Sequence, residues 1–287
     1  MNIAPYDQIK IMELLEIRKE LITGLKGELP ELVDKFNHFL LRNLPSKQNS
    51  VVLLTFNKET VNLPRECVVK IFRTDNGEHE FKILKMLKDQ KLLVPDILFY
   101  KNPYLILEKV EGINVCDFIN ERLINIESID DLESDIREDI VLCITTLAKW
   151  LAKFHSNNII SRGSDIIVLN KGDARLKDFI FNPQETLVYG MDFEDAIEGS
   201  HLIDISWVCC ALLDTNPGIF ELSDPRVKIE LINLFLKNYY NQNPEFTFDF
   251  SFFAEKLIDN LNIVMRRRRI NLSLDKKEFI KDISKDL

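Results

Sequence analysis

The spacing of hydrophobic residues changes along the chain, and each change marks an element. Over residues 6–41 apolar side chains recur at helical intervals, with Ile9, Met12 and Leu15 in one set and Leu32, Phe36 and Phe39 in a second. Gly24, Gly27 and Pro30 interrupt them, so the segment predicts two helices. The runs at 51–56 and 66–72 are short, largely apolar and rich in valine, which predicts two strands of an antiparallel pair. A short helix follows Asp75-Asn76-Gly77, with Phe81, Leu84 and Leu87 on one side, and residues 97–100 and 104–107 predict two more strands. After Gly112 the period becomes helical again. Ile140, Ile144, Leu147, Leu151 and Phe154 fall on one face, the pattern of a buried helix. Beyond Ser200 the stripe Val227, Leu231, Leu234, Phe235 and Tyr239 and a second over 252–264 extend that helical character. The fold class expected is α+β, with a helical leader, a small antiparallel sheet with one helix, and a larger mainly helical part holding a hairpin.

That hairpin carries the chemistry. Lys171-Gly172-Asp173-Ala174-Arg175-Leu176-Lys177-Asp178 leads into the apolar run Phe179-Ile180-Phe181. The turn signal Asn182-Pro183-Gln184-Glu185 reverses the chain, which returns through Thr186 to Met191 and ends in Asp192-Phe193-Glu194. Pairing about position 185 sets Asp178 opposite Asp192 at the open end, with Asp173 within reach. Adjacent carboxylates repel unless a cation lies between them, and a hard divalent ion such as Mg²⁺ is the usual occupant. Such a grouping suits phosphoryl transfer.

Composition narrows the setting. A chain of 287 residues, 46% of them hydrophobic, can bury a core and is not disordered. Its net charge of −9 argues against general nucleic-acid binding. Five cysteines without a C-x-x-C pair fit a reduced, cytoplasmic protein, and no long apolar run predicts a membrane span.

Lys70 stands among Val68, Val69, Ile71 and Phe72, where an ammonium needs an anionic partner. Glu80, on the helix face of Leu84 and Leu87, is the candidate; the alternative is an edge strand with Lys70 in solvent. Arg175 and Lys177 either stabilise a transferring phosphoryl group or are ordinary solvated loop charges. His155 ends the periodic helix and is expected as a hydrogen-bonded core residue under the 171–178 loop, with Trp150 and Trp207 as core aromatics. Arg266, Arg267, Arg268 and Arg269 form a basic cluster, read as a salt-bridged helix end or as a site for an anionic substrate, such as an RNA backbone.

In order along the chain, several pieces together resemble the protein-kinase-like fold in its aminoglycoside phosphotransferase and choline kinase branch. They are the strand Lys70, the helix Glu80, Val94-Pro95-Asp96, residues 104–112, Leu151-Ala152-Lys153-Phe154-His155, Gly172-Asp173, Asp192-Phe193-Glu194 and Asp204-Ile205-Ser206-Trp207. The resemblance runs from about residue 51 to the last helices. It implies a bilobal enzyme, with a helical extension over 1–45, a nucleotide-binding lobe over 46–109 and a helical lobe over 110–287 for the catalytic loop, metal and acceptor. It implies ATP and Mg²⁺ (or Mn²⁺) bound between the lobes, and a small-molecule hydroxyl acceptor, sometimes a protein.

By the same resemblance, Asp173 orients the attacking hydroxyl and is placed to deprotonate it, while Asp192 and Asp178 hold metal. Lys70, held by Glu80, takes the α- and β-phosphates. Leu107 lies behind the adenine, and the backbone of Glu108 and Val110 supplies hinge hydrogen bonds. Asp204 braces the catalytic loop. Three positions depart from the family pattern: residues 44–50 contain no glycine, Lys171 stands where the family has histidine, and Asp178 stands where it has asparagine. The departures keep open a second reading, a silent nucleotide-binding scaffold.

Overall fold

Strand-forming runs and two helices build the first part of the protein, as seen in a computed structural model. The structure describes residues 5–33, 38–123, 126, 128–163, 166–222, 224–270 and 283, with side chains from residue 12. The chain divides into two compact units, Met1–Lys85 with Pro95–Val110, and Met86–Val94 with Glu111–Leu287.

In the first unit, helix α1 (Pro5–Leu25) precedes strands β1 (Phe39–Leu44), β2 (Ser50–Phe56) and β3 (Glu66–Ile71). Helix α2 (Gly77–Asp89), which runs on into the second unit, is followed by β4 (Ile97–Lys101) and β5 (Tyr104–Glu108). The strands form one antiparallel sheet in the order β1-β2-β3-β5-β4. Alternation along β3 sends Val69 and Ile71 to one face and Lys70 to the other. The Val69 face packs with Val52, Leu54, Phe56 and Ile106 against Ile17, Leu21 and Leu25 of α1. Burying each such side chain contributes about 1.5–3 kcal/mol, so α1 is part of the sheet's core. Ion pairs tie the helix and the turn after it to the sheet, from Glu20 to Arg73 at 2.9 Å and from Glu28 to Lys101 at 2.6 Å. On the other flank Phe81 of α2 stacks on Tyr100 of β4 at 4.2 Å.

One expectation fails here. The second helix expected up to residue 41, within a helical extension to residue 45, is replaced by a short turn at Pro30–Leu32 and by strand β1. Phe36 lies outside the described residues. The spacing of Leu32 and Phe39 satisfies a helix, but β1 gains a six-residue ladder with β2, and that non-local pairing overrides the local pattern.

In the second unit, β6 (Ile113–Asn114) and α3 (Val115–Asn120) lead to the long helix α4 (Ser134–Asn157). Then come β7 (Ile159–Arg162), β8 (Ile166–Asn170), β9 (Phe179–Asn182), β10 (Leu187–Gly190) and β11 (Ile197–Ser200). Helices α5 (Leu202–Asp214), α6 (Arg226–Gln242) and α7 (Phe250–Arg268) complete it. Two three-stranded sheets, β10-β9-β6 and β11-β8-β7, hold the loops of interest against these helices. The stripe expected on α4 is fully buried at Ile140, Ile144, Leu147, Leu151 and Phe154. Trp150 is buried as expected and donates from Nε1 to the Leu93 carbonyl at 2.9 Å, whereas Trp207 is half-buried. All five cysteines are free thiols, four of them buried. Among the described residues, no helix is long and apolar enough to cross a membrane.

Helix α6 buries a lysine. The Lys228 ammonium donates to the Thr215 carbonyl at 2.9 Å, and burial pushes its pKa down to about 8. The unfolded chain keeps this proton up to the ordinary lysine range while the folded chain releases it near 8. Between those values the unfolded state binds more protons, so stability rises with pH through the window. Lys228→Met is expected to flatten that rise by about 3 kcal/mol, read from urea unfolding curves at pH 7.5 and 10.

Candidate active site

The loop after β8 is set by its backbone. Gly172 adopts φ +93°, and a Cβ there would meet the Asp195 carbonyl, so only glycine fits. Asp204, in the first turn of α5 and fully buried, accepts from the Lys171 N–H at 2.6 Å and the Gly172 N–H at 2.9 Å. The helix N-terminus favours that carboxylate. Behind it, His155 Nε2 lies 3.2 Å from Asp204 and Nδ1 lies 2.7 Å from the Tyr239 hydroxyl. His155 is thus the hydrogen-bonded core residue expected under the loop, and Asp204 is its brace.

The hairpin forms one residue out of the expected register. Gly190 pairs with Phe179 and Leu187 with Asn182, so Asp178 faces Met191 rather than Asp192, and the Met191 N–H donates to the Asp178 carbonyl at 2.9 Å. The cause is a four-residue turn over 183–186 that closes with Thr186 at φ +57°. Asp192 itself adopts φ +63°, a left-handed conformation that aspartate tolerates better than most residues. It stands just past the hairpin's end.

The three carboxylates nevertheless converge, through cations. Arg175 reaches Asp173 at 3.0 Å, Asp178 at 3.1 Å and Asp192 at 3.9 Å. Lys171, completely buried, lies 3.5 Å from both Asp173 and Asp178. Burial pushes the Asp173 carboxyl up to about 6, against the opposing pull of Lys171 and Arg175. Burial also disfavours the Lys171 ammonium, but Asp178, Asp173, Asp192 and Asp204 outweigh it and raise its pKa above the ordinary lysine value. Lys177 is exposed and lies near Cys116 rather than among the acids.

Glu194, not singled out from the sequence, is buried and has a carboxylate oxygen within 4.8 Å of one from Asp192. Its signal was its place two residues after Asp192 in Asp192-Phe193-Glu194. Carboxylate oxygens at that spacing are donors that fit a hard divalent ion such as Mg²⁺.

In the first unit, the Lys70 ammonium donates to Glu80 at 2.7 Å, and both side chains are buried. Strand β3 is central, which excludes the edge-strand alternative. Leu107 pairs with Val68 and shares the sheet face of Lys70, while the Glu108 N–H donates to the Asp96 carbonyl at 2.9 Å. The arginine cluster ends α7, where Arg268 binds Asp214 at 2.8 Å and Glu221 at 3.7 Å and Arg266 donates to the Asn262 carbonyl. These contacts are those of a salt-bridged helix end.

No protein-family model matches the sequence, and no curated protein matches it. Solved structures do. The streptomycin–ATP ternary complex of APH(2")-IIa is similar with a TM-score of 0.52 at 14% identity, covering 88% of this chain and 93% of that one. An aminoglycoside-3'-phosphotransferase of type VIII is similar with a TM-score of 0.54 at 14% identity, over 85% of this chain and 98% of that one. The amicoumacin kinase hAmiN, in complex with AMP-PNP, Ca²⁺ and Ami, gives 0.50 at 14% identity, over 94% and 93%. The chain therefore has the protein-kinase-like fold of these kinases, with its antiparallel five-stranded sheet and helical C-terminal part.

Proposed function

We propose that this protein is a phosphotransferase that moves the γ-phosphate of ATP to a hydroxyl of a small-molecule acceptor. The observation that carries the proposal is the convergence of Asp173, Asp178 and Asp192 around Arg175. The buried Lys70–Glu80 pair supports it from the other unit.

In this reading Lys70, oriented by Glu80, takes the α- and β-phosphates, and Leu107 with the backbone of Glu108 and Val110 holds the adenine. Asp192 and Asp178, joined by Glu194, hold Mg²⁺ or Mn²⁺. A bound divalent ion neutralises the phosphate oxygens. Asp173 hydrogen-bonds the acceptor hydroxyl and receives its proton, a task suited to a carboxylate whose pKa burial has raised. Arg175 turns from the carboxylates to the equatorial oxygens of the transferring phosphoryl group, and Lys177 adds positive charge at the loop. Free thiols support a reducing, cytoplasmic setting. The acceptor is proposed as a small polar molecule, because the arginines that suit an anionic polymer end a salt-bridged helix.

One observation favours a second reading. Arg175 and Lys171 already neutralise the carboxylates, as they would in a silent nucleotide-binding scaffold. Incubation with γ-labelled ATP, Mg²⁺ and pooled hydroxyl metabolites separates the two. Label in a new product supports transfer; ATP-dependent thermal stabilisation without product supports the scaffold.

A further inference from the structure

We propose that Lys171 is a positioning residue, a fixed internal cation that locks Asp173 and Asp178 into one unit. Its kinetic consequence rests on the phosphotransferase reading; its structural consequence rests on the geometry alone.

The side chain is completely buried and is held at both ends. Its backbone N–H donates to Asp204, and its ammonium lies 3.5 Å from Asp173 Oδ1 and from Asp178 Oδ2. The Phe193 ring, 5.8 Å from the ammonium, flanks it. A buried ammonium needs partners that offset its lost hydration, and here two carboxylates supply them, so the aspartates hold Lys171 as it holds them. Arg175 binds the same two carboxylates, but about a third of its side chain is exposed. An exposed guanidinium can turn to an arriving phosphate, whereas Lys171 has no such freedom. The two cations divide the work. Arg175 leaves for the substrate, and Lys171 stays to keep Asp173 and Asp178 from repelling each other. Because Lys171 is sealed from solvent it does not touch substrate.

The claim has a distinctive consequence. Neutralising either Lys171 or Asp178 alone unbalances a cluster of buried charges, and neutralising both restores the balance. The test is a double-mutant cycle of Lys171→Gln and Asp178→Asn on the full chain, read by thermal unfolding and by kcat and KM for ATP with Mg²⁺. Each single substitution is expected to lower Tm by roughly 5–10 °C, with the double variant recovering more than half of the loss. Lys171→Gln should lower kcat by about tenfold or more while KM for ATP changes less than about threefold, and the double variant should regain part of that kcat. Additive losses in the double variant overturn the proposal, as does a fall confined to KM. Where both single variants fail to fold, a folded double variant supports the lock and an unfolded one overturns it. If the wild-type chain transfers no phosphate, the phosphotransferase reading fails, while the stability cycle still decides the lock.

Discussion

Asp173→Asn is expected to reduce turnover by about three orders of magnitude while leaving the thermal shift with ATP and Mg²⁺ intact. The substitution keeps the shape of the side chain and its capacity to accept a hydrogen bond, but removes the group proposed to receive the hydroxyl proton. Nucleotide binding survives because the contacts assigned to ATP lie elsewhere, on Lys70 and Asp192. The pH profile gives a second check. Burial holds the Asp173 carboxyl up at about 6, and a cation beside it draws that value down. The acid limb of kcat/KM should therefore lie at or below pH 6, with activity rising as pH increases through it. A variant that loses binding and turnover together would make Asp173 a binding residue.

Lys70→Met is expected to destabilise the protein by about 3–5 kcal/mol, because it leaves the Glu80 carboxylate buried without its cation. It should also lower kcat/KM for ATP by about a hundredfold or more through the lost phosphate contacts. The double variant Lys70→Met, Glu80→Gln separates the two effects. Replacing both partners removes the stranded charge and restores much of the stability, but nucleotide affinity stays low. Urea unfolding measures the first effect and a titration with ATP the second. Recovery of affinity in the double variant would mean that Lys70 serves the sheet rather than the nucleotide.

How much of this was legible in the sequence depended on how local each signal was. The α4 stripe was readable because five apolar residues on one helical face leave few alternatives, and the structure buries all five. Lys70 and Glu80 were readable as a pair because a lysine inside a strand demands a partner, and one carboxylate lay on the right helix face. Strand β1 was hidden, since Leu32 and Phe39 satisfy helical spacing and only the distant ladder with β2 decides against it. The hairpin register slipped by one because it depends on Thr186 adopting a left-handed backbone, which threonine seldom advertises. The short strands β7, β8 and β11 gave no period long enough to detect. At the site, the acids were found by type and spacing. Arg175 and Lys171 were legible as nearby loop cations, but the sealing of Lys171 from solvent was set by tertiary packing that no spacing rule records.

Calorimetric titration of ATP into the full chain, with and without Mg²⁺, tests the central claim most directly, using Asp192→Asn alongside the wild type. The account predicts micromolar-range ATP binding that requires the metal and weakens by about a hundredfold or more in Asp192→Asn. Binding that ignores both the metal and Asp192, or no binding of ATP at all, would contradict it.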